Sequence, residues 1–143
     1  MGYSTDFYGV FKLNKRLEPE HHAFLKKLSE TRRMARNVDP MYGIEGELYV
    51  EDDEIGVVDH NRPPKTQPGL WCQWCPTEDG MGIEWDGGEK FYQYVEWLEY
   101  IIIVVLKPRG YVLSGEVRWS GEEQGAVGKI IVNDNKVTVS YGV

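Results

Sequence analysis

Apolar and polar residues alternate near the start of the chain. Phe7, Gly9, Phe11 and Leu13 fall on one face and Tyr8, Val10 and Lys12 on the other, which is the period of a strand over Ser4 to Leu13. The spacing then lengthens. Pro19 suits the first turn of a helix, where its missing N–H would have no partner anyway, and Phe24, Leu25 and Leu28 form a narrow apolar stripe. A surface helix is expected over Pro19 to Arg33. After an irregular stretch from Arg36 to Gly46, Glu47 to Val50 and Ile55 to Val58 read as a hairpin around the acidic turn Glu51 to Glu54. Pro63, Pro64 and Pro68 make Asn61 to Gly69 a stiff extended loop.

The second half is more strongly patterned. Leu70 to Cys75 and Gly82 to Asp86 predict two short aromatic strands paired across the polar turn Pro76 to Gly80. Phe91, Val95, Leu98, Ile102 and Val105 recur at helical spacing, with Asp86 as a candidate cap, so a long helix is expected from Glu89 to Leu106. A second stripe, Tyr94, Trp97, Ile101 and Val104, predicts that its C-terminal half is covered nearly all round, with the Glu89 to Glu99 end more open. Lys107-Pro108-Arg109-Gly110 ends it. Tyr111, Leu113, Gly115, Val117 and Trp119 give a one-sided strand whose apolar face should meet the helix. Lys129 to Asn133 and Lys136 to Tyr141 flank Asp134-Asn135, a pair that tolerates the positive φ of a two-residue hairpin turn. The expected fold class is α+β: a mostly antiparallel sheet of about five to seven strands with two helices, the long one, about residues 89–106, packed on one face.

A length of 143 residues fits one domain over residues 1–143, and five Trp with nine Tyr supply enough buried area to exclude a disordered chain. The formal net charge of −7 argues against extended nucleic acid and anionic membrane as partners, since neither meets a basic surface here. The longest apolar run, Ile101 to Leu106, is far short of the roughly 20 residues that span a bilayer. The start, Met1 to Asp6, lacks a basic region followed by an apolar one, and Asp6 stands where a myristoylation motif needs Ser or Thr. A cytoplasmic protein is expected.

Three clusters offer chemistry. Cys72 and Cys75 form a Cys-x-x-Cys pair, which suggests a redox pair or half a zinc site. A lone pair on a strand, with thiols diverging and no further ligands at the right spacing, reads better as two free thiols. Lys26, Lys27, Arg32, Arg33 and Arg36 are a basic island in an acidic chain. The forks of Arg32, Arg33 and Arg36 suit a phosphate or an acidic partner, or else complement a helix C-terminus and the chain's own carboxylates. Glu78, Asp79, Glu84 and Asp86 crowd an aromatic turn with Trp71, Trp74 and Trp85, which suits a small-molecule or protein-binding surface as well as solvated turn charge beside core indoles. His21 and His22 have no evident partner, and only His60 adjoins a carboxylate, Asp59. No P-loop, Gly-x-Gly-x-x-Gly, nucleophile elbow or His-Glu-x-x-His occurs, so the familiar NTPase, dinucleotide, hydrolase and zincin classes lose support. No cofactor and no resident metal is expected.

Met1 to Phe7, Phe11-Lys12-Leu13-Asn14, Thr31-Arg32-Arg33-Met34, Leu70-Trp71-Cys72-Gln73-Trp74, Pro76-Thr77-Glu78-Asp79 and Ile83 to Tyr92 together resemble a family of small uncharacterised proteins encoded by bacteriophages and prophages. The resemblance extends through Lys107 to Tyr111 as far as Gly128 to Val132. In that family the position of Cys75 is not usually cysteine, which weakens the Cys-x-x-Cys reading further. The resemblance implies an accessory protein in the host cytosol that acts by binding a host protein, in counter-defence or host takeover. The alternative is a nucleotide-binding, signal-sequestering protein or a small metal-dependent phosphoesterase. There Arg32, Arg33 and Arg36 would grip phosphate, a Trp would stack the base, and Glu84 or Asp86 would hold metal or act as base.

Overall fold

The computed structural model describes residues 4–142, so Met1-Gly2-Tyr3, which begin the first motif above, lie outside the described residues. The first predicted strand is present but broken. Thr5–Tyr8 (β1) pairs with Arg118 to Gly121, and Phe11–Leu13 (β2) with Leu113 and Ser114, of one long strand. Gly9 makes the break at φ +119°, and a Cβ there would stand 3.0 Å from the carbonyl oxygen of Glu116. The alternation survives, with Phe7, Phe11 and Leu13 buried and Tyr8, Val10 and Lys12 exposed.

Helix α1 runs from Pro19 to Glu30, three residues shorter than expected, because Thr31 is already extended and its hydroxyl donates to the carbonyls of Lys27 and Val50. Ala35–Arg36 (β3) pairs with Val57–Asp59 (β4) in a separate two-stranded ladder. The expected hairpin of Glu47 to Val50 with Ile55 to Val58 is therefore corrected. The Arg36 guanidinium donates to the carbonyls of Glu51, Asp53 and Ile55, so the backbone between wraps a side chain and leaves no ladder for Glu47 to Val50.

Trp74–Pro76 (β5) and Gly82–Trp85 (β6) form the aromatic hairpin, although Leu70 to Gln73 stay outside the ladder; the Leu70 carbonyl instead accepts from the Arg33 N–H. The long helix is also corrected at its start. Helix α2 begins at Tyr94 and runs to Tyr100, continuing as a π-helical stretch over Ile101–Leu106. Residues 89–93 are not helical, since Lys90 and Gln93 have φ of 54° and 60°, and Asp86 caps the Gly88 N–H of a local turn in place of a helix. In the wider π turn Ile101, Ile102, Val105 and Leu106 are buried, and Ile103 is 64% exposed. Arg109 closes the end by donating to the carbonyls of Val104 and Val105.

Leu113–Gly121 (β7), Val127–Asn133 (β8) and Lys136–Tyr141 (β9) complete a seven-stranded antiparallel sheet in the order β5-β6-β2-β7-β8-β9, with β1 also on β7. Asp134 and Asn135 take φ of 54° and 68°, as the two-residue turn requires. One core joins the sheet to both helices: Phe11, Trp74, Ile83, Leu113, Val117 and Ile130 meet Leu25 and Leu28 of α1 and Trp97, Leu98 and Ile101 of the second helix. The α+β class stands, and no described helix is long and apolar enough to cross a membrane.

Candidate functional site

Alternation along β5 and β6 sorts the aromatic turn into two faces. Trp74 and Trp85 are cross-strand partners, and each lies 5.3 Å from the Phe7 ring on the core side. Cys75 and Glu84 are the next pair, so they share the opposite face. That face borders α1, and between them runs a cleft of about 600 Å³. Glu78, Glu84 and Asp86 line one wall and His22, Lys26 and Glu30 the other. Four carboxylates thus face one lysine. The wall from α1 is fixed by His22, whose Nε2 lies 2.9 Å from the Thr77 carbonyl oxygen.

The electrostatics agree with the lining. Burial, followed by the charges of Asp86, Glu84 and Glu30, pushes the Cys75 thiol up to about 11. Partial desolvation also raises the Asp86 carboxyl above its ordinary value, opposed by the bond from Gly88 N–H. A thiol held protonated is a poor nucleophile and a poor metal ligand. Cys72 is fully buried, its thiol pushed up to about 12 chiefly by burial, and both cysteines are free. No three of the cleft's carboxylates, His22 and Cys75 converge as metal ligands would. Among the described residues the one such group is Glu18, Glu20 and His21 on the exposed start of α1, where His21 Nδ1 also lies 2.8 Å from the Tyr111 hydroxyl.

The ten residues singled out from sequence divide. Glu78, Glu84 and Asp86 come together in the cleft. Asp79 is exposed, but its carboxylate accepts from the Thr77 hydroxyl and the Met81 N–H, so it shapes the β5–β6 turn. Trp74 is buried, its indole donating to the Tyr94 carbonyl, and Trp85 donates to Gln73. Trp71 alone of the three indoles is exposed, at 42%.

The arginines separate too. Arg36 is buried, paired with Asp53 at 3.1 Å and stacked 4.3 Å from the Tyr49 ring. Arg33 is buried, donating to Gln67 and to the Glu47 carbonyl, and desolvation lowers it to about 10. Arg32 alone reaches the surface, holding the His60 carbonyl and the Asn61 side chain. Arg33 and Arg36 therefore build the interior of residues 31–67, and the three arginines offer a ligand one guanidinium at most.

His22 was expected to lack a partner and Lys26 to belong with the arginines of the basic island; neither of them, nor Glu30, was expected to share a cleft with the β5–β6 carboxylates. The i, i+4, i+8 spacing of these three residues puts them on one helical face, so the signal was available. What the sequence could not show was which strand that face would meet. Comparison of the chain with protein families, curated proteins and solved structures found no match.

Proposed function

We propose that the protein acts by binding, and that its acidic cleft receives a basic segment, a run of Lys or Arg side chains, presented by a partner protein. The supporting observation is the convergence of Glu30, Glu78, Glu84 and Asp86 from two elements onto one concave surface in a chain of net charge −7. Anionic walls with low-dielectric backing focus field lines into a cleft, speed encounter with a cationic partner and exclude acidic ones. With the phage resemblance, the partner is a host protein and the setting the host cytosol, in counter-defence or takeover. Occupation of a host protein's polyanion-binding surface is the action such an acidic cleft supports best.

The test is affinity capture from the cognate host with the full chain and with a Glu84→Lys/Asp86→Lys variant. A partner held by the parent, released by moderate salt and absent from the variant supports the proposal. Equal capture by both, or none by either, refutes it. Asp86→Lys gives up the acceptor of the Gly88 N–H, so the variant should melt slightly below the parent, and a native circular-dichroism spectrum at the capture temperature checks that it is folded.

A further inference from the structure

Away from the acidic cleft, a second concavity of about 450 Å³ lies where the proline loop meets the non-helical lead into α2. Its walls include Trp71 and Tyr92, 42% and 58% exposed. Neither ring packs on another ring among the described residues, whereas Trp74 and Trp85 are fully engaged around Phe7. Arg32 and Lys90 bring positive charge against a single carboxylate, Glu89. Arg32 is half-buried and anchored through Nε to His60 and Nη2 to Asn61, which leaves Nη1 without a protein partner among the described residues. Lys90 and Gln93 hold left-handed backbone without being glycine, a strain of roughly 1 kcal/mol or more each that serves to place the side chains between them.

Trp97, whose buried indole Nε1 has no hydrogen-bond partner, stands behind Gly69 but does not line the pocket.

We infer that this pocket binds a mononucleotide-class ligand, a planar heterocycle carrying a phosphate. The heterocycle stacks against Trp71 and Tyr92, and the phosphate meets Arg32 Nη1 and Lys90. The volume suits one such molecule, and stacking on an aromatic side chain contributes about 1–3 kcal/mol per base. The site shares no residue with the acidic cleft, so it stands or falls separately from the function proposed there.

The experiment uses the full chain, with adenosine 5′-monophosphate as probe and adenosine and ribose 5-phosphate as its halves, followed by calorimetry and by the indole N–H resonances in two-dimensional NMR. Adenosine monophosphate should saturate below about 1 mM and move the Trp71 indole signal; adenosine should move it more weakly, and ribose 5-phosphate should leave it still. Trp71→Ala should weaken binding about tenfold by removing the stacking plane. Lys90→Gln, which removes a cation facing the phosphate, should weaken it several-fold with an unchanged melting curve. Absence of saturable binding by adenosine monophosphate overturns the inference. So does binding that survives both substitutions, or ribose 5-phosphate binding as tightly as the nucleotide.

Discussion

Around Phe7 the interior is aromatic: Trp74, Trp85, Phe91 and Tyr94 meet its ring edge-on at 5.0–5.8 Å, and the Trp74 indole donates to the Tyr94 carbonyl. Around Arg33 the interior is polar. Gln67 bridges Arg33, the Glu47 carbonyl and the Tyr100 hydroxyl, which in turn donates to the Glu47 carboxylate. The first region is stabilised by burial that any well-packed apolar set supplies. The second gains little net energy from its polar groups but loses much if one is removed, because its partners are left buried and unpaired. The two regions should therefore fail differently.

The largest expected effect is on the aromatic side. Trp74→Ala removes a fully buried indole from the core face of the edge strand β5 and should cost about 4 kcal/mol, lowering the cooperative transition measured by denaturant. Arg36→Met should cost about 3 kcal/mol, yet with a different signature. Its bonds to residues 51–55 hold a loop, so hydrogen exchange should accelerate over residues 35–60 while the β7–β8 amides stay protected. Equal acceleration everywhere would show that the two regions form one cooperative unit. Acid should reproduce the local opening. Asp53 is held below its ordinary carboxylate range by the Ile55 N–H, then by the Tyr49 hydroxyl and Arg36, so the stability it contributes at neutral pH is lost as pH falls through that depressed value. Asp53→Asn should remove the acid dependence of exchange in those residues.

That contrast also explains what was legible in the sequence. The strands around β7 could be read because burial on one face imposes a period of two, and Asp134-Asn135 because positive φ selects residue types. The polar region could not. Its determining bonds join Arg36 to Asp53 and Arg33 to Gln67, 17 and 34 residues apart, and such pairings leave no period in the chain. The start of the long helix was misjudged for a related reason. Phe91 has the helical spacing and is buried, but Gln73 donates to the Glu89 carbonyl and fixes residues 89–93 in a turn. Of the candidate site, the carboxylates of the β5–β6 hairpin were legible. The wall contributed by α1 was not, because tertiary packing chose which helical face they would see.

Alkali should attack the junction of the two regions. Cys72 sits there with a folded pKa of about 12 against an ordinary 9.0. The unfolded chain therefore releases its proton first, and stability, complete below pH 9, falls as pH rises toward 12 by up to about 1.4 kcal/mol per pH unit. Arg33, lowered to about 10, works in the opposite sense only above that value. The interval between pH 9 and 10 is thus governed by the two thiols, Cys75 being pushed up to about 11, and Cys72→Ala should reduce the decline in melting temperature across it by about half.

The smallest expected effect tests whether the apolar sheet depends on any single polar contact. Asn135 combines left-handed φ with a side chain that accepts from the Leu113 N–H at 2.7 Å and donates to the Tyr111 carbonyl at 3.1 Å, tying the β8–β9 turn to the start of β7. Asn135→Gly keeps the backbone conformation and removes both bonds, and should cost about 1 kcal/mol. Asn135→Ala adds the steric penalty of positive φ and should cost about 1 kcal/mol more. If Asn135→Gly instead cost as much as Arg36→Met, the sheet would share the dependence on buried polar partners that marks the region around Arg33, and the difference between the two halves would be one of composition without a difference in stability.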